Sequence, residues 1–518
     1  MGLARVASRA QLGLSAPRVE VEVHLGGGLP TFTIVGMPAT AVRESKDRVR
    51  AALANSGFEW PAGRITVNLS PADLPKEGCR YDLPIAMGIL LASSQISVPE
   101  QHLVDSEFYG ELGLAGELKP IKGVLLAAAH AAREQRALVL PSGNVDEARI
   151  AARRILAADN LLGVCALARA GAVTDAEPGG PLSLPGPSSL DLADVRGQAV
   201  PKRALIVAAA GGHSLLLVGA PGTGKSMLAQ RLPGILPELD ASEALDVAAI
   251  ASVSTRGFSA AEFGRRPFRA PHHTASAGAI IGGGPRAQPG EVSLAHRGVL
   301  FLDELPEFNR AVLESLREPL ESGVVAVSRA AVQVEYPARF QFVAAMNPCP
   351  CGYLGESTGK CRCAPPEIAR YRARISGPLL DRIDLRVAVP TVSSEELLDE
   401  SAEPRLTSAQ AAVKVRAARE VQLRRAGKLN ADLAGRELSE HCPLDRGARV
   451  LLGQLRVKFE LSARGVHRVL RVARTIADLE QANLEQADLE PADRERKSPC
   501  ALSSPHLAEA LQLRRAIS

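Results

Sequence analysis

Residues 219–226, GAPGTGKS, constrain the fold of this chain more than any other stretch. They follow the apolar run HSLLLVGA and precede a segment that reads as a helix, which gives the order strand, loop, helix. Glycines let the backbone turn tightly, so that successive N–H groups point inward at phosphate oxygens. The pattern therefore predicts a phosphate-binding loop in an α/β fold with a parallel sheet.

ATP and Mg²⁺ are the cofactors that this loop predicts. The ammonium of Lys225 can reach the β and γ phosphates, and the hydroxyl of Ser226 can ligate Mg²⁺. The apolar run VLFLDE delivers Asp303 and Glu304 about 75 residues later. We expect Asp303 to hold Mg²⁺ through water. The residues assigned to ATP binding are Gly219, Ala220, Pro221, Gly222, Thr223, Gly224, Lys225, Ser226 and Asp303.

Three further residues are candidates for catalysis. Glu304 is predicted to act as the general base that polarises the attacking water; the alternative is that the two acids cap a helix start. Asn347 ends the apolar run in AAMNPCP, where its amide can orient that water or simply cap the strand end. Arg382, in LLDRIDL, has the position of an arginine finger that reaches the γ-phosphate of a neighbouring subunit; the alternative is a salt bridge with Asp381 or Asp384.

The chain of 518 residues is too long for one hydrophobic core. The Pro- and Gly-rich stretch AEPGGPLSLPGPSSL reads as a linker. We predict a mixed domain at 1–175, the linker at 176–193, a motor core at 194–393 and a helical lid at 394–518. On the lid, Arg464 is the candidate that senses nucleotide, and Arg468 is its rival one helical turn later.

Four of the eight cysteines crowd into a short segment. Cys349, Cys351, Cys361 and Cys363 form two Cys-x-Cys pairs with Gly352, Gly355 and Gly359 between them. Such a loop can bring four sulfurs into a tetrahedron, so the pattern predicts Zn²⁺, and four free thiols are the alternative.

The net charge of +4 is too small to bind nucleic acid through a global field, so local patches must do so. VVAVSRAAVQVEY alternates like a β-hairpin, with Arg329 near the turn. Arg329 is a candidate contact to DNA phosphates in a pore, or an ordinary exposed arginine. The Gly-rich segment with Arg269, His272, His273 and Arg286 is a candidate second pore loop, and its two histidines are alternative metal ligands.

The amino terminus lacks the apolar stretch of a signal peptide, and no later segment runs to a membrane-spanning length. We therefore expect a cytoplasmic protein without membrane contact.

The segments GAPGTGKS, GVLFLDELPEF, AAMNPCPCGY, SGPLLDRIDL and SARGVHRVLRVARTIADLE closely resemble the magnesium-chelatase-like AAA+ proteins of the ComM/YifB family. The resemblance covers nearly the whole chain. It implies an AAA+ motor in a ring of subunits, typically a hexamer. Members named ComM are associated with branch migration of DNA during homologous recombination, so the resemblance implies branched or single-stranded DNA as the partner. A chelatase-like or protein-remodelling ATPase is the alternative.

The first domain also resembles the proteolytic domain of Lon, and the stretch GELGLAGELKPIKGVLLAA with LPSGNVDEA resembles the carboxyl-terminal domain of RadA. Active Lon domains use a serine and a lysine. In the matching stretch KEGCRYD this chain has no serine at the corresponding place. Cys79 lies early for a nucleophile and Lys122 early for the lysine, so we expect a Lon-like α+β domain without peptidase activity.

Overall fold

The computed structural model of the chain describes residues 2–171, 190–284, 287–329, 332–355, 359–393, 406–487 and 501–514. The chain divides into two compact units. The first comprises Met1–Pro185, Asp240–Arg265 and Ala330–Tyr336, and the second comprises Gly186–Leu239, Arg266–Arg329 and Pro337–Ser518. The segment at 240–265 was expected in the motor core and instead packs in the first unit. Of the predicted linker, 176–189 lies outside the described residues.

The first unit is a mixed α/β structure. In its main sheet, of strand order β1-β2-β4-β3, β2 pairs antiparallel with β1 and β4, and β3 pairs parallel with β4. Val19, Val21 and Val23 of β2 are fully buried, because alternate side chains of a strand share one face. The strands here are β1 (Gly2–Arg9), β2 (Arg18–Gly26), β3 (Thr31–Val35), β4 (Arg64–Ser70), β5 (Ser106–Phe108), β6 (Glu111–Leu112), β7 (Leu118–Lys119), β8 (Ala137–Pro141) and β9 (Ile155–Ala158).

The helices of this first stretch are short and pack against its sheets. Their bounds are α1 (Thr40–Arg43), α2 (Ser45–Asn55), α3 (Asp82–Ala92), α4 (Glu100–Val104), α5 (Val124–Arg133), α6 (Val145–Ala148) and α7 (Leu161–Ala170). Helix α3 is apolar on all sides and almost wholly buried, as expected for a helix at the centre of a core. Strands β5, β8 and β9 form a separate parallel sheet.

The second unit contains a five-stranded parallel sheet of order β11-β14-β17-β10-β18. Three of its strands are buried along their whole length, which explains why they read as continuous apolar runs. The strands after residue 190 are β10 (Leu215–Val218), β11 (Phe268–Arg269), β12 (Gly282–Gly283), β13 (Gln288–Pro289), β14 (Val299–Leu302), β15 (Val324–Arg329), β16 (Val332–Pro337), β17 (Gln341–Met346) and β18 (Leu385–Ala388). The predicted P-loop core with a parallel sheet is confirmed.

The register of this sheet brings the carboxyl ends of its strands together. Leu302 pairs with Ala344, and Leu217 pairs with Ala345. The residues that follow β10, β14 and β17 therefore meet at one edge, where ligands bind in open parallel sheets.

Helices dominate the described residues from 406 onward, as the fold prediction required. The helices after residue 190 are α8 (Ala199–Gly211), α9 (Lys225–Gln230), α10 (Ala241–Ser252), α11 (Ala277–Ile281), α12 (Glu291–Leu294), α13 (Arg310–Ser315), α14 (Arg317–Ser322), α15 (Pro365–Arg372), α16 (Gly377–Leu380), α17 (Ser408–Ala426), α18 (Arg436–His441), α19 (Arg446–Lys458), α20 (Ala463–Ala487) and α21 (Ser504–Gln512). Helix α20 buries Val469, Val472 and Ile476 in the same core as the β10 and β18 side chains. The predicted lid boundary at 394 lies outside the described residues.

Short 3₁₀ helices connect several elements: Ser142–Asn144, Leu192–Asp194, Pro233–Ile235, Ala260–Glu262, Leu305–Glu307 and Asn430–Asp432. In the part of the chain that the structure describes, no helix combines the length and apolar character needed to cross a membrane.

Candidate ATP-hydrolysis site

The loop at 219–226 runs from β10 into α9. Gly222 and Gly224 have φ of +79° and +90°, a region that side chains with a Cβ rarely adopt, so glycine is required at these two turns. The Lys225 ammonium donates hydrogen bonds to the carbonyl oxygens of Gly219 and Ala220, both at 2.8 Å. It also donates to Oδ1 of Asn347 at 3.2 Å. Burial lowers the pKa of Lys225, and the charges of Asp303 and Glu304 oppose that shift.

Asp303 and Glu304 follow directly after β14. The Ser226 hydroxyl donates to Oδ2 of Asp303 at 2.5 Å. The structure therefore brings together the two oxygen groups predicted to hold Mg²⁺, and both are of the type that Mg²⁺ prefers. Glu304 adopts a left-handed backbone, with φ of +52°, and its N–H donates to Oδ1 of Asp303. The side chain of Glu304 is more than half exposed.

Asn347 follows β17 and joins the site through Lys225. The sequence predicts that its amide orients the attacking water beside Glu304; in the structure its amide oxygen accepts a hydrogen bond from the Lys225 ammonium. The pairing of β17 with both β10 and β14 explains this position between the loop and the two acids.

Arg382 lies between α16 and β18, and its hydrogen-bond partners are outside the loop at 219–226. Its Nη1 donates to the carbonyl of Pro378 at 2.8 Å, and its Nη2 contacts the carboxylate of Glu321. The alternative prediction, an ion pair with Asp381 or Asp384, is wrong. Arg382 pairs with Glu321, and Asp384 pairs with Arg468 and His213.

Asp384 is buried against helix α20. Its Oδ1 accepts from Nη1 of Arg468 at 2.6 Å, and its Oδ2 lies 3.4 Å from Nδ1 of His213. Burial alone would raise the pKa of Asp384, but the His213 hydrogen bond and the charges of His213 and Arg468 lower it overall. Arg468 is thus held in a structural ion pair. Arg464 is exposed in the first turn of α20.

The four clustered cysteines converge in the described structure. The Cys349 sulfur lies 3.4 Å from the Cys351 sulfur and 3.7 Å from that of Cys361, and the latter two are 3.7 Å apart. All four Sγ atoms lie within 4.8 Å of one another. Tetrahedral zinc with Zn–S bonds of about 2.3 Å separates its sulfurs by about 3.8 Å. The geometry fits such a site.

The cysteine loop also packs against the phosphate-binding loop. Gly352 has φ of +86°, and a Cβ added there would lie 2.6 Å from Cδ of Pro221 and 3.8 Å from Cγ of Asn347. The backbone at Gly352 therefore lies against Pro221 of the candidate phosphate-binding loop, with no room there for a Cβ.

The candidate DNA contacts are only partly described. Val324–Arg329 and Val332–Pro337 are strands of a two-stranded sheet, as the predicted hairpin required. The side chain of Arg329 and the whole of Arg286 lie outside the described residues.

The residues in the stretches that resemble Lon have the following partners in the first unit. Arg80, within the stretch KEGCRYD, donates to Oε1 of Gln11 at 2.8 Å and to the carbonyl of Lys122 at 2.9 Å. The Lys122 ammonium donates to the carbonyl of Thr255 at 2.6 Å. Burial raises the pKa of the Cys79 thiol, with Asp82 and Glu111 adding to the shift and Arg48 opposing it, whereas a nucleophilic cysteine needs a lowered pKa.

Two residues beside the site were not predicted for it. Nδ1 of His273 lies 3.3 Å from Oε2 of Glu304. Gln198 precedes α8 and donates to the carbonyl oxygens of Thr223 and Pro390. The two-residue strand β11 that positions His273 is too short to give a periodic signal, so only its pairing with β14 reveals this neighbour.

Comparison with known proteins gives matches along most of the chain. Residues 191–397 match the family model described as magnesium chelatase, subunit ChlI; residues 21–144 match that of subunit ChlI of Mg-chelatase, and residues 405–496 match that of the ChlI C-terminal region. The chain is 46% identical to competence protein ComM of Haemophilus influenzae over 520 residues, which is 99% of this chain and 98% of the relative.

Other relatives differ in how much of the chain they match. Protein YifB of Escherichia coli is 47% identical over 492 residues, 93% of this chain and 94% of the relative. The magnesium-chelatase 67 kDa subunit of Heliobacterium mobile is 30% identical over 197 residues, 32% of this chain and 29% of that subunit.

Proposed function

The chain belongs to the ComM/YifB family of magnesium-chelatase-like AAA+ proteins, and we propose that it is an ATP-driven ring motor that moves branched or single-stranded DNA. The observation that carries the proposal is the convergence of Lys225, Ser226, Asp303 and Asn347 at one edge of a parallel sheet. The near full-length similarity to a competence protein favours a role in homologous recombination of incoming DNA. Because DNA is the proposed substrate, we propose the cytoplasm as its location.

The proposed chemistry is hydrolysis of the γ-phosphate of ATP. Lys225 binds the β and γ phosphates once they displace its contacts with Gly219 and Ala220. Ser226 and Asp303 would hold Mg²⁺, which neutralises charge on the phosphates when bound. Glu304 accepts the proton of the attacking water, and Asn347 positions the Lys225 ammonium.

The ring assembly is proposed from the family and from the place of Arg382. An arginine finger from one subunit must reach the nucleotide site of the next, so the subunits form a closed ring. A hexamer is the form typical of the family. Arg464 is proposed as the lid arginine that senses nucleotide, since it is exposed whereas Arg468 is paired with buried Asp384.

The function is tested by ATPase and strand-separation assays on forked and four-way DNA. We expect DNA to stimulate hydrolysis and the wild type to separate strands, with both effects falling as salt rises because phosphate contacts carry the binding. Lys225→Ala protein should bind DNA and separate no strands. Strand separation by Lys225→Ala, or wild-type ATPase that is indifferent to every DNA form, would contradict the proposal.

Action on a protein partner is the second candidate, because three family models named for a magnesium-chelatase subunit match the chain. The chelatase subunit itself matches only 32% of the chain, whereas ComM matches 99%. We therefore rank DNA first. Copurification of a partner protein that stimulates ATP hydrolysis, in a preparation that DNA does not stimulate, would reverse the ranking.

We propose zinc as the occupant of the cysteine cluster. Purified protein should contain about one zinc per chain, and Cys361→Ser should lose most of it because a structural site needs its four ligands. ATP hydrolysis should fall with the zinc, since Gly352 in this loop touches Pro221. Metal analysis and ATPase rates measure both effects.

Cys79→Ser is the matched control, because Cys79 lies in the first unit and outside the cluster. It should keep both zinc and ATPase activity. Wild-type protein that is folded and fully active without metal would contradict the zinc site.

A further inference from the structure

Four arginines lie together on the first unit, around the amino-terminal edge of the parallel sheet formed by β5, β8 and β9. Arg153 and Arg154 directly precede β9, and Arg133 ends helix α5 just before β8. Arg18 is the first residue of β2 in the main sheet. Arg18, Arg133 and Arg153 are exposed, and Arg154 is half-buried. We call these four residues the arginine patch.

Short contacts join the segments that carry the patch. Nη1 of Arg154 donates to the carbonyl oxygen of Gln135 at 2.6 Å. Arg18 pairs across the main sheet with Arg9, and Nη2 of Arg9 lies 2.7 Å from Oε1 of Glu134. Glu134 and Gln135 directly follow helix α5. The start of β2, the end of α5 and the start of β9 therefore meet at one place on the surface.

The two carboxylates within this cluster are neutralised by other arginines. Glu107 is fully buried and accepts hydrogen bonds from Nε and Nη2 of Arg9 at 2.8 and 2.7 Å. Glu134 contacts the same Nη2 and lies 3.4 Å from Nε of Arg136. Arg9 and Arg136 thus balance both acids, and the charge of the patch is left over.

The patch itself carries an excess of positive charge. Among the residues that the structure describes, its four arginines form no ion pair. One further acid, Asp105, precedes β5 at the same edge, and it accepts a hydrogen bond from Gln101. Four positive charges therefore stand against one remaining negative charge.

Such a surface fits the phosphate backbone of a nucleic acid. The guanidinium of arginine is always charged, and its planar set of N–H donors matches the oxygens of a phosphate group. The patch sits on the amino-terminal edge of strands and at a helix end, so it presents donors and no extended element that could enter a groove. It can therefore contact phosphates, which hold the nucleic acid without reading its sequence.

We propose that the arginine patch binds the phosphate backbone of DNA, so that the first unit has a DNA contact of its own outside the motor core. The proposal rests on the proposed function, in which DNA is the substrate. Each phosphate that an arginine neutralises releases condensed counterions, so the contact weakens as salt rises.

The test measures binding of a labelled forked duplex to the full-length protein by fluorescence anisotropy over a range of salt concentrations. The neutralised variant carries Arg18→Gln, Arg133→Gln and Arg153→Gln; Arg154 is kept because it bonds within the chain. The affinity of this variant at low salt should fall at least about tenfold. The slope of log K against log salt should fall by up to about 2.7, because each lost phosphate contact removes about 0.9. Unrelated DNA sequences should show the same loss.

Two further variants serve as controls. Replacing the same three arginines by lysine keeps the charge and should keep most of the salt slope. A variant with Arg43→Gln, Lys46→Gln and Arg64→Gln removes the same charge from other exposed positions of the first unit and should bind DNA as wild type does. Arg64 pairs with Gly26, at the opposite end of β2 from Arg18.

Thermal unfolding checks that each variant is folded, and Arg153→Gln alone should lower the slope by about 0.9 with the least change to the fold. Unchanged affinity and slope in both the neutralised and the single variant overturn the proposal, while DNA binding and strand separation by the wild type would leave the DNA motor standing. Labelled polyglutamate that binds the wild type and not the neutralised variant, with DNA binding equal in both, would assign the patch to an acidic protein instead. Wild-type protein that binds no DNA contradicts the motor and the patch together.

Discussion

Glu304→Gln is expected to lower kcat for ATP hydrolysis by about 10²–10⁴-fold, the contribution of a general base. The amide keeps the size and polarity of the side chain but cannot accept the proton of water. Lys225, Ser226 and Asp303 are untouched, so ATP should still bind with an affinity near that of wild type. Single-turnover hydrolysis and equilibrium binding of labelled ATP separate the two effects.

Glu307→Gln is the control for this substitution. Glu307 lies three residues on, in the 3₁₀ helix Leu305–Glu307, and forms an ion pair with Arg374 at 2.8 Å. Exposed pairs of this kind contribute about 0–1 kcal/mol, so this protein should fold and hydrolyse ATP as wild type does. A Glu304→Gln protein that retains most of its turnover would show that another group takes the proton.

The candidate nucleotide site was largely predictable because its signals are local. Each of β10, β14 and β17 is a short buried run, and the residue types that bind phosphate and Mg²⁺ follow directly in sequence. Parallel strands bring their carboxyl ends together, so the sequence predicts that Lys225, Asp303 and Asn347 lie close to one another.

The remaining features depend on pairings that no local pattern encodes. Strand β11 has only two residues, so its place beside β14, and with it the contact of His273 with Glu304, is invisible in sequence. The partner of Arg382 is Glu321, which is 61 residues away, and not an acid in the same motif. The segment at 240–265 was predicted in the motor core from its place in the sequence, whereas its tertiary contacts place it in the first unit.

Arg382→Ala is expected to lower kcat by about 10³–10⁵-fold if Arg382 acts as a finger in the site of the next subunit. The loss should reside in turnover, with ATP binding and the assembled ring retained. The structure makes this substitution informative, because the guanidinium pairs within its own chain with Glu321, whose side chain is 58% exposed. The Arg382 side chain itself is only 10% exposed, so breaking this pair would lower the stability of the fold, and it predicts by itself no such loss of turnover.

Mixing two inactive variants distinguishes a finger from a structural arginine. Lys225→Ala has an inactive ATP site and an intact arginine finger. Arg382→Ala has an intact ATP site and no arginine finger. In rings mixed at equal ratio, about one interface in four joins the intact site of an Arg382→Ala subunit to the intact arginine of a Lys225→Ala subunit. The recovered activity should therefore reach up to about a quarter of wild type. Glu321→Gln should stay active, because it removes the intrachain partner and leaves the finger free. Only an arginine that serves the neighbouring site can be supplied by another chain. Mixed rings without activity would therefore assign Arg382 to the fold of its own subunit. A Glu321→Gln protein as inactive as Arg382→Ala would do the same.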